Sequence, residues 1–315
     1  MKAGANRWFL YGPFIGAGVI LGCWFLLWRA GAATMRNSLD EFAATQAGEG
    51  IAVAHEPLET RGFPFFLRGV TENFSIGSGA ERYECARLYI DALPYAPGRI
   101  IFSCGAEQRL IAANGVWILD AKDARASIER DKDRGWIAKI ESGRASAFNN
   151  DVEVSADHAI INIAPGEPDD DRIDASIRIV SFGVTRPASG YAFDRIDAAA
   201  TVSGGGAAGD RTIEIHGFKA VISETVVNAK GEIFLPAEGD ARGRLDAHIE
   251  KPAGLVRTLA DAGLLDEKDA KTAEAGLAML AVASGGAISA PIELDGGEVR
   301  LAGLKLADVK RKNQP

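Results

Sequence analysis

An uncharged run of twenty-one residues, WFLYGPFIGAGVILGCWFLLW from Trp8 to Trp28, limits this chain more than any other feature. In hydrocarbon such a segment must bond its own backbone groups, so it reads as a helix. At about 1.5 Å per residue it is about 31 Å long, against about 30 Å for a bilayer's hydrocarbon core. Trp8 and Tyr11 at one end, and Trp24 and Trp28 at the other, are the rings expected at the two headgroup levels. The alternative is a cleaved signal peptide with Ala30-Gly31-Ala32 as its small-x-small site. A signal core is about 7–15 residues long, and here the run is longer and Arg29 intrudes, so an uncleaved anchor is favoured.

Local charge leaves the orientation tied, with Lys2 and Arg7 before the segment and Arg29 and Arg36 after it. The short tail (residues 1–7) carries the α-amino charge, and the long remainder is acidic. Together they favour a cytoplasmic tail and an exported remainder. Gly12 and Gly16, and Gly18 and Gly22, have the spacing that lets a partner helix approach closely, although glycine is common in membrane helices.

The 315 residues carry a net charge of −8 and no basic run, which argues against a nucleic-acid partner. Cys23 lies in the anchor and reads as a packing residue. Cys85 and Cys104 fall in two strand-like runs, YECARLYIDAL and RIIFSC, separated by PYAPGR. A hairpin would bring them within bridging range, and an oxidising compartment would permit the bond. Two buried free thiols are the other reading.

Residues 29–50 read as a connecting helix, with Met35, Leu39 and Phe42 at helical spacing and Gly48 and Gly50 ending it. Such a helix would either lift the following domain off the bilayer or, the favoured reading, serve simply as a linker. From 51 to 251 apolar and polar residues alternate in short runs bounded by Gly, Pro, Asn or Asp. Ile173, Ala175, Ile177 and Ile179 are one example; Leu245, Ala247 and Ile249 are another. This pattern predicts an antiparallel sheet with one apolar face. Residues 252–284 switch to helical spacing, with Pro252 in a first turn and Ala273, Leu277, Leu280 and Ala281 on one face. Strands return over 285–315, with Asp295-Gly296-Gly297 as a tight hairpin turn and KRKNQP as a frayed tail. The fold class is mainly β (α+β): a transmembrane helix, then a large antiparallel, curled or barrel-like sheet with a small helical insertion.

No catalytic constellation emerges. His55, His158, His216 and His248 lack metal-ligand spacing, and Asp169-Asp170-Asp171 reads as a solvated turn. Gly204-Gly205-Gly206 lacks the lysine and helix start of a phosphate cradle. No catalytic residue, metal or cofactor is expected. The remaining motif is RGFPFFLRG, where Phe63, Phe65 and Leu67 would project from one face of an extended segment. It reads as a core anchor, with the lip of an apolar groove as the alternative. Pro64 would place it at an edge or bulge.

The anchor, the following helix, Gly62-Phe63-Pro64-Phe65, RLYIDALPYAPGRIIF and the closing IELDGGEVRLAGLKLADV resemble the alphaproteobacterial domain-of-unknown-function 2125 family. Phe66 departs from that pattern, in which a basic residue follows the second aromatic, and neither Cys85 nor Cys104 belongs to it. The resemblance implies an envelope protein anchored in the inner membrane, with its C-terminal domain in the periplasm and no catalytic residues to carry over. The closing hairpin is also similar to those of AsmA-like envelope proteins, which implies a link to lipid homeostasis. The expected function is non-enzymatic binding of an apolar ligand, lipid being the plausible one, in the sheet's concave face. The alternative is an assembly factor recruiting an envelope or membrane protein partner through exposed sheet edges.

Overall fold

The structure, a computed structural model, describes residues 7–93, 96–105, 107–121, 123–166, 171–187, 189–204, 209–261, 263 and 267–308. The chain forms two compact units that divide between Val116 and Trp117. Both are built on antiparallel strands, as the alternation predicts.

The first unit begins with α1 (Arg7–Gly48), a helix of 42 residues that carries the anchor and the connecting segment without a break. It is long and apolar enough to cross a membrane. Pro13 lies inside it, one turn past the free N-terminal N–H groups, and so leaves the Phe9 carbonyl without its i→i−4 donor. At the other end Gly50 adopts φ +80°, and the Ile51 N–H donates to the Gln46 carbonyl at 2.9 Å. That geometry closes the helix, because glycine carries no Cβ penalty there.

The two halves of α1 meet different surroundings. Phe14, Val19, Ile20, Leu26 and Leu27 stand exposed among the described residues. Ala32 and Leu39 are buried, and Met35 packs against the first unit's core. The second half is therefore no free spacer, which corrects the expectation of a linker. Phe42 remains exposed, so the packed face comprises Ala32, Met35 and Leu39.

That face rests on a small sheet. Strands β1 (Ala52–Ala54) and β2 (Glu59–Arg61) both pair with β3 (Leu67–Ser78), which pairs with β4 (Glu81–Leu93). β4 then pairs with β5 (Ala96–Cys104) along one half and β6 (Gln108–Ala112) along the other. Helix and sheet come close at Gly69, where a Cβ would lie 2.9 Å from both Leu58 Cδ2 and Met35 Sδ. Leu39, Leu58, Cys85, Leu88, Ile90 and Cys104 form the core. Cys85 and Cys104 are joined by a disulfide with a Cα–Cα distance of 6.0 Å. The bridge is diagonal: Cys104 is the Cα partner of Leu88, and Cys85 that of Gln108. It therefore ties β4 at the point where its neighbour changes from β5 to β6.

The second unit is a meander. β7 (Gly115–Asp120), β10 (Ala145–Asn149) and β11 (Val152–Ala156) pair successively along one half of its early sheet. β8 (Arg125–Glu129), β9 (Ile137–Ser142) and β12 (His158–Pro165) do so along the other half. The long β13 (Arg172–Arg186) pairs with both β11 and β12. From it the order is sequential through β14 (Ser189–Ser203), β15 (Arg211–Ile222), β16 (Thr225–Leu235) and β17 (Arg242–Glu250). Helices α2 (Ala253–Asp261) and α3 (Glu267–Ala283) intervene before β18 (Ala287–Asp295), β19 (Glu298–Leu301) and β20 (Leu304–Asp308). The turn at Gly296-Gly297 has positive φ at both residues, as a two-residue hairpin requires. Ala302-Gly303 repeats that geometry, so the closing hairpin becomes three strands.

The insertion has a structural task. Val256 of α2, and Ala273 and Leu277 of α3, pack on Ala220, Val227, Ala229, Ala247, Ile249, Ile288 and Leu301. They cover the apolar face of strands β15–β19, whose alternation would otherwise leave it in water. The tail residues 310–315 lie outside the described residues, as do residues 1–6, Asp169, Asp170, Gly205, Gly206 and Asp266.

Candidate functional site

Two features merit a functional reading, one in each unit. The first is where α1 meets the turn between β2 and β3. Gly62 adopts φ +104°, and a Cβ there would lie 2.6 Å from the Phe66 ring. The chain then turns through Phe63, Pro64 and Phe65, with a cis peptide before Pro64. The Phe65 and Phe66 N–H groups both donate to the Gly62 carbonyl at 3.1 Å. The segment is a tight turn rather than an extended run, so Phe63, Phe65 and Leu67 do not share one face. Leu67, the first residue of β3, is buried beside Gly31. Phe65 is 78% exposed and Phe63 41%, so neither is the core anchor expected.

The turn's carbonyls and the Phe63 ring instead meet the end of the uncharged segment. The Trp24 indole N–H donates to the Pro64 carbonyl at 2.7 Å, and the Trp28 N–H to the Phe66 carbonyl at 3.0 Å. Phe63 stacks edge-on against Phe25 at 5.5 Å and Trp28 at 5.9 Å. Two of the expected interfacial anchors, Trp24 and Trp28, thus join the aromatic motif in one cluster. Tyr11 stands exposed near the other end of the segment, and the Trp8 side chain lies outside the described residues. No neighbour lies within 4 Å of a Cβ built at Gly12, Gly16, Gly18 or Gly22. Cys23 is exposed on the same helix surface.

Arg68 fixes the far side of the turn. Its Nε and Nη2 donate to the two Asp91 carboxylate oxygens at 2.6 and 2.7 Å, and its guanidinium lies 5.5 Å from the Phe66 ring centroid. The hydrogen bond to Asp91 raises the Arg68 pKa above the ordinary arginine range. A paired, permanently charged group thus holds the last ring of the turn. Sequence spacing could not reveal this cluster, because Trp28 and Phe66 are 38 residues apart.

The second feature is a concavity of about 940 Å³ on the sheet of the second unit. Its lining includes Asn162, Arg178, Asp197, Lys219, Asn228, Lys230, Asp246 and His248. Ile160, Ile177, Ala198, Ala199 and Phe218 line it as well, so apolar surface lies between these polar side chains. The apolar face of the same central strands is the one covered by α2 and α3.

The histidines are dispersed. His216 and His248 hydrogen-bond to Thr201 and Ser289, and His55 to the Glu56 carbonyl. Among the described residues no three His, Cys, Asp or Glu side chains come together as metal ligands would.

A family model described as an uncharacterized protein conserved in bacteria matches residues 28–310. The match begins at Trp28 and takes in the aromatic turn, the disulfide and nearly all of both strand-built units. No curated protein and no solved structure matches the chain.

Proposed function

Given that the chain belongs to the DUF2125 family of bacterial proteins, we propose that it is a single-pass inner-membrane protein with both strand-built units in the periplasm. It binds lipid, without catalysis, through the aromatic cluster of Trp24, Trp28, Phe63 and Phe65. The single observation that carries this reading is the bonding of the Trp24 and Trp28 indoles to the 62–66 turn, at the end of a span exposed among the described residues. Tryptophan and phenylalanine partition well at the level where acyl chains give way to headgroups. A turn docked there shares that level, and its most exposed ring, Phe65, is free to enter the lipid. Each buried CH₂ of a contacted acyl chain contributes about 0.8 kcal/mol. The Cys85–Cys104 disulfide fits an oxidising compartment, which favours export over the opposite orientation.

The test is photocrosslinking in native membranes, with a benzophenone side chain replacing Phe65 or, for comparison, Phe42 of α1. Phe42 is also exposed but lies about 21 Å along the helix from Trp28. Position 65 is expected to give a phospholipid adduct by mass spectrometry and position 42 none. Absence of lipid from position 65, or equal labelling at both, overturns the reading.

A further inference from the structure

We infer that the concavity of the second unit, whose row of polar and charged side chains is set among apolar ones, is a binding site for an anionic, hydroxyl-bearing ligand of the sugar-phosphate class. It lies in the other unit from the aromatic cluster and does not depend on the lipid reading.

The site is laid out by register. Arg178, Asp197, Lys219, Asn228, His248 and Ser289 are successive Cα partners across β13 to β18. All six line the concavity. Strands lie about 4.8 Å apart, so this row is about 24 Å long. Two residues further along on the same face are Ser176, Lys230 and Asp246, with Lys230 and Asp246 again Cα partners.

Charge is distributed unevenly over this floor. Arg178 is bound to Asp197 at 2.6 Å, and Lys139 at the rim to Glu141 at 2.8 Å. Arg195 also binds Asp197. Its hydrogen bond, with that of Arg178, lowers the Asp197 pKa, so this carboxylate stays ionised and occupied. Lys219 and Lys230 make no ion pair among the described residues. They flank Asn228, one as its cross-strand partner and the other two residues along its strand. Lys219 lies opposite Asp197, which two arginines already hold, and Lys230 lies opposite Asp246, so the two ammonium groups leave local positive charge for an anion despite the chain's net charge of −8.

Backbone irregularity falls at the same spot. Between Ile215 and Phe218 the register with β16 shifts, and the register with β14 skips His216. His216 is thus an extra residue in an interior strand, and such bulges re-aim a side chain. Its Nε2 lies 2.7 Å from the Thr201 hydroxyl, which donates to Asp174 at 2.7 Å. Beside it, a Cβ at Gly217 would meet nothing within 4 Å, so the floor is open there. Lys219 and Lys230 suit a phosphate, while the Asn228 amide, Ser289 and the Asp246 carboxylate suit hydroxyl groups. The volume is at the upper end of the usual range for small-ligand sites, about 300–1,000 Å³.

The experiment is calorimetric titration of the full chain in nonionic detergent at low salt with glucose 1-phosphate, glucose and inorganic phosphate. Saturable binding of glucose 1-phosphate is expected, tighter than either of the others. The pair Lys219→Gln and Lys230→Gln should weaken it at least about tenfold, since two charge-assisted hydrogen bonds are lost. Lys132→Gln, outside the concavity, should leave it unchanged. Both site lysines are exposed, so an unchanged melting temperature is expected for the double variant. No saturable binding, or binding indifferent to the double variant, overturns the site. Inorganic phosphate binding as tightly overturns the sugar component, and glucose binding as tightly overturns the anionic one.

Discussion

Replacing Val19 and Ile20 together by aspartate is expected to remove the protein from the membrane fraction. Both residues lie near the middle of the uncharged segment, and both are exposed in the chain itself. An aspartate at the centre of a spanning helix costs about 2.5–3.5 kcal/mol on insertion scales, so the pair costs about 5–7 kcal/mol. Neither residue belongs to the core of the first unit, so that unit keeps its fold while insertion fails. Carbonate-washed membranes provide the measurement. Retention of the double variant in the washed pellet would mean that residues 8–28 are not what holds the protein there.

Loss of the disulfide is the second large effect. Cys85 and Cys104 are separated by 19 residues and buried in the core of the first unit. Closing a loop of that size stabilises the folded state by about 3 kcal/mol through the entropy of the unfolded chain. Cys85→Ser with Cys104→Ser should therefore lower the denaturant midpoint of the full chain in nonionic detergent. Reductant should lower the wild-type midpoint by a similar amount and leave the double variant unaffected. A wild-type midpoint insensitive to reductant would show that the bond contributes nothing.

The elements were legible in the sequence because each obeys a local rule. The uncharged run has one way to satisfy its backbone, and alternation at period two marks strands wherever one face is covered. The Asp295-Gly296-Gly297 turn needs positive φ, which glycine supplies at no cost. The helices over 252–284 follow from spacing, and Leu277 proves fully buried as that spacing implies.

The functional geometry was not legible, because it rests on pairings distant in sequence. Residues 29–48 read as a linker because nothing local says that Met35 and Leu39 face Leu58 and Gly69. The 61–69 motif read as extended because alternation of aromatics resembles a strand. The turn forms instead around Gly62, where the Phe66 ring leaves no room for a Cβ. The second turn at Ala302-Gly303 was missed because alanine rarely takes positive φ.

Docking of the 62–66 turn on the end of the uncharged segment, at the bilayer surface, is the central claim, and the depth of residue 65 tests it most directly. A spin label on Phe65→Cys, with Cys23→Ser, can be placed relative to the bilayer by collision with oxygen and with a polar nickel reagent in nanodiscs. With the Trp24 and Trp28 contacts in place, the label should lie at the acyl–headgroup boundary, oxygen-accessible and shielded from nickel. Had residues 29–48 acted as a free spacer, the label would stand about 30 Å further out, at 1.5 Å per residue. Full nickel accessibility at residue 65 in folded protein would contradict the account.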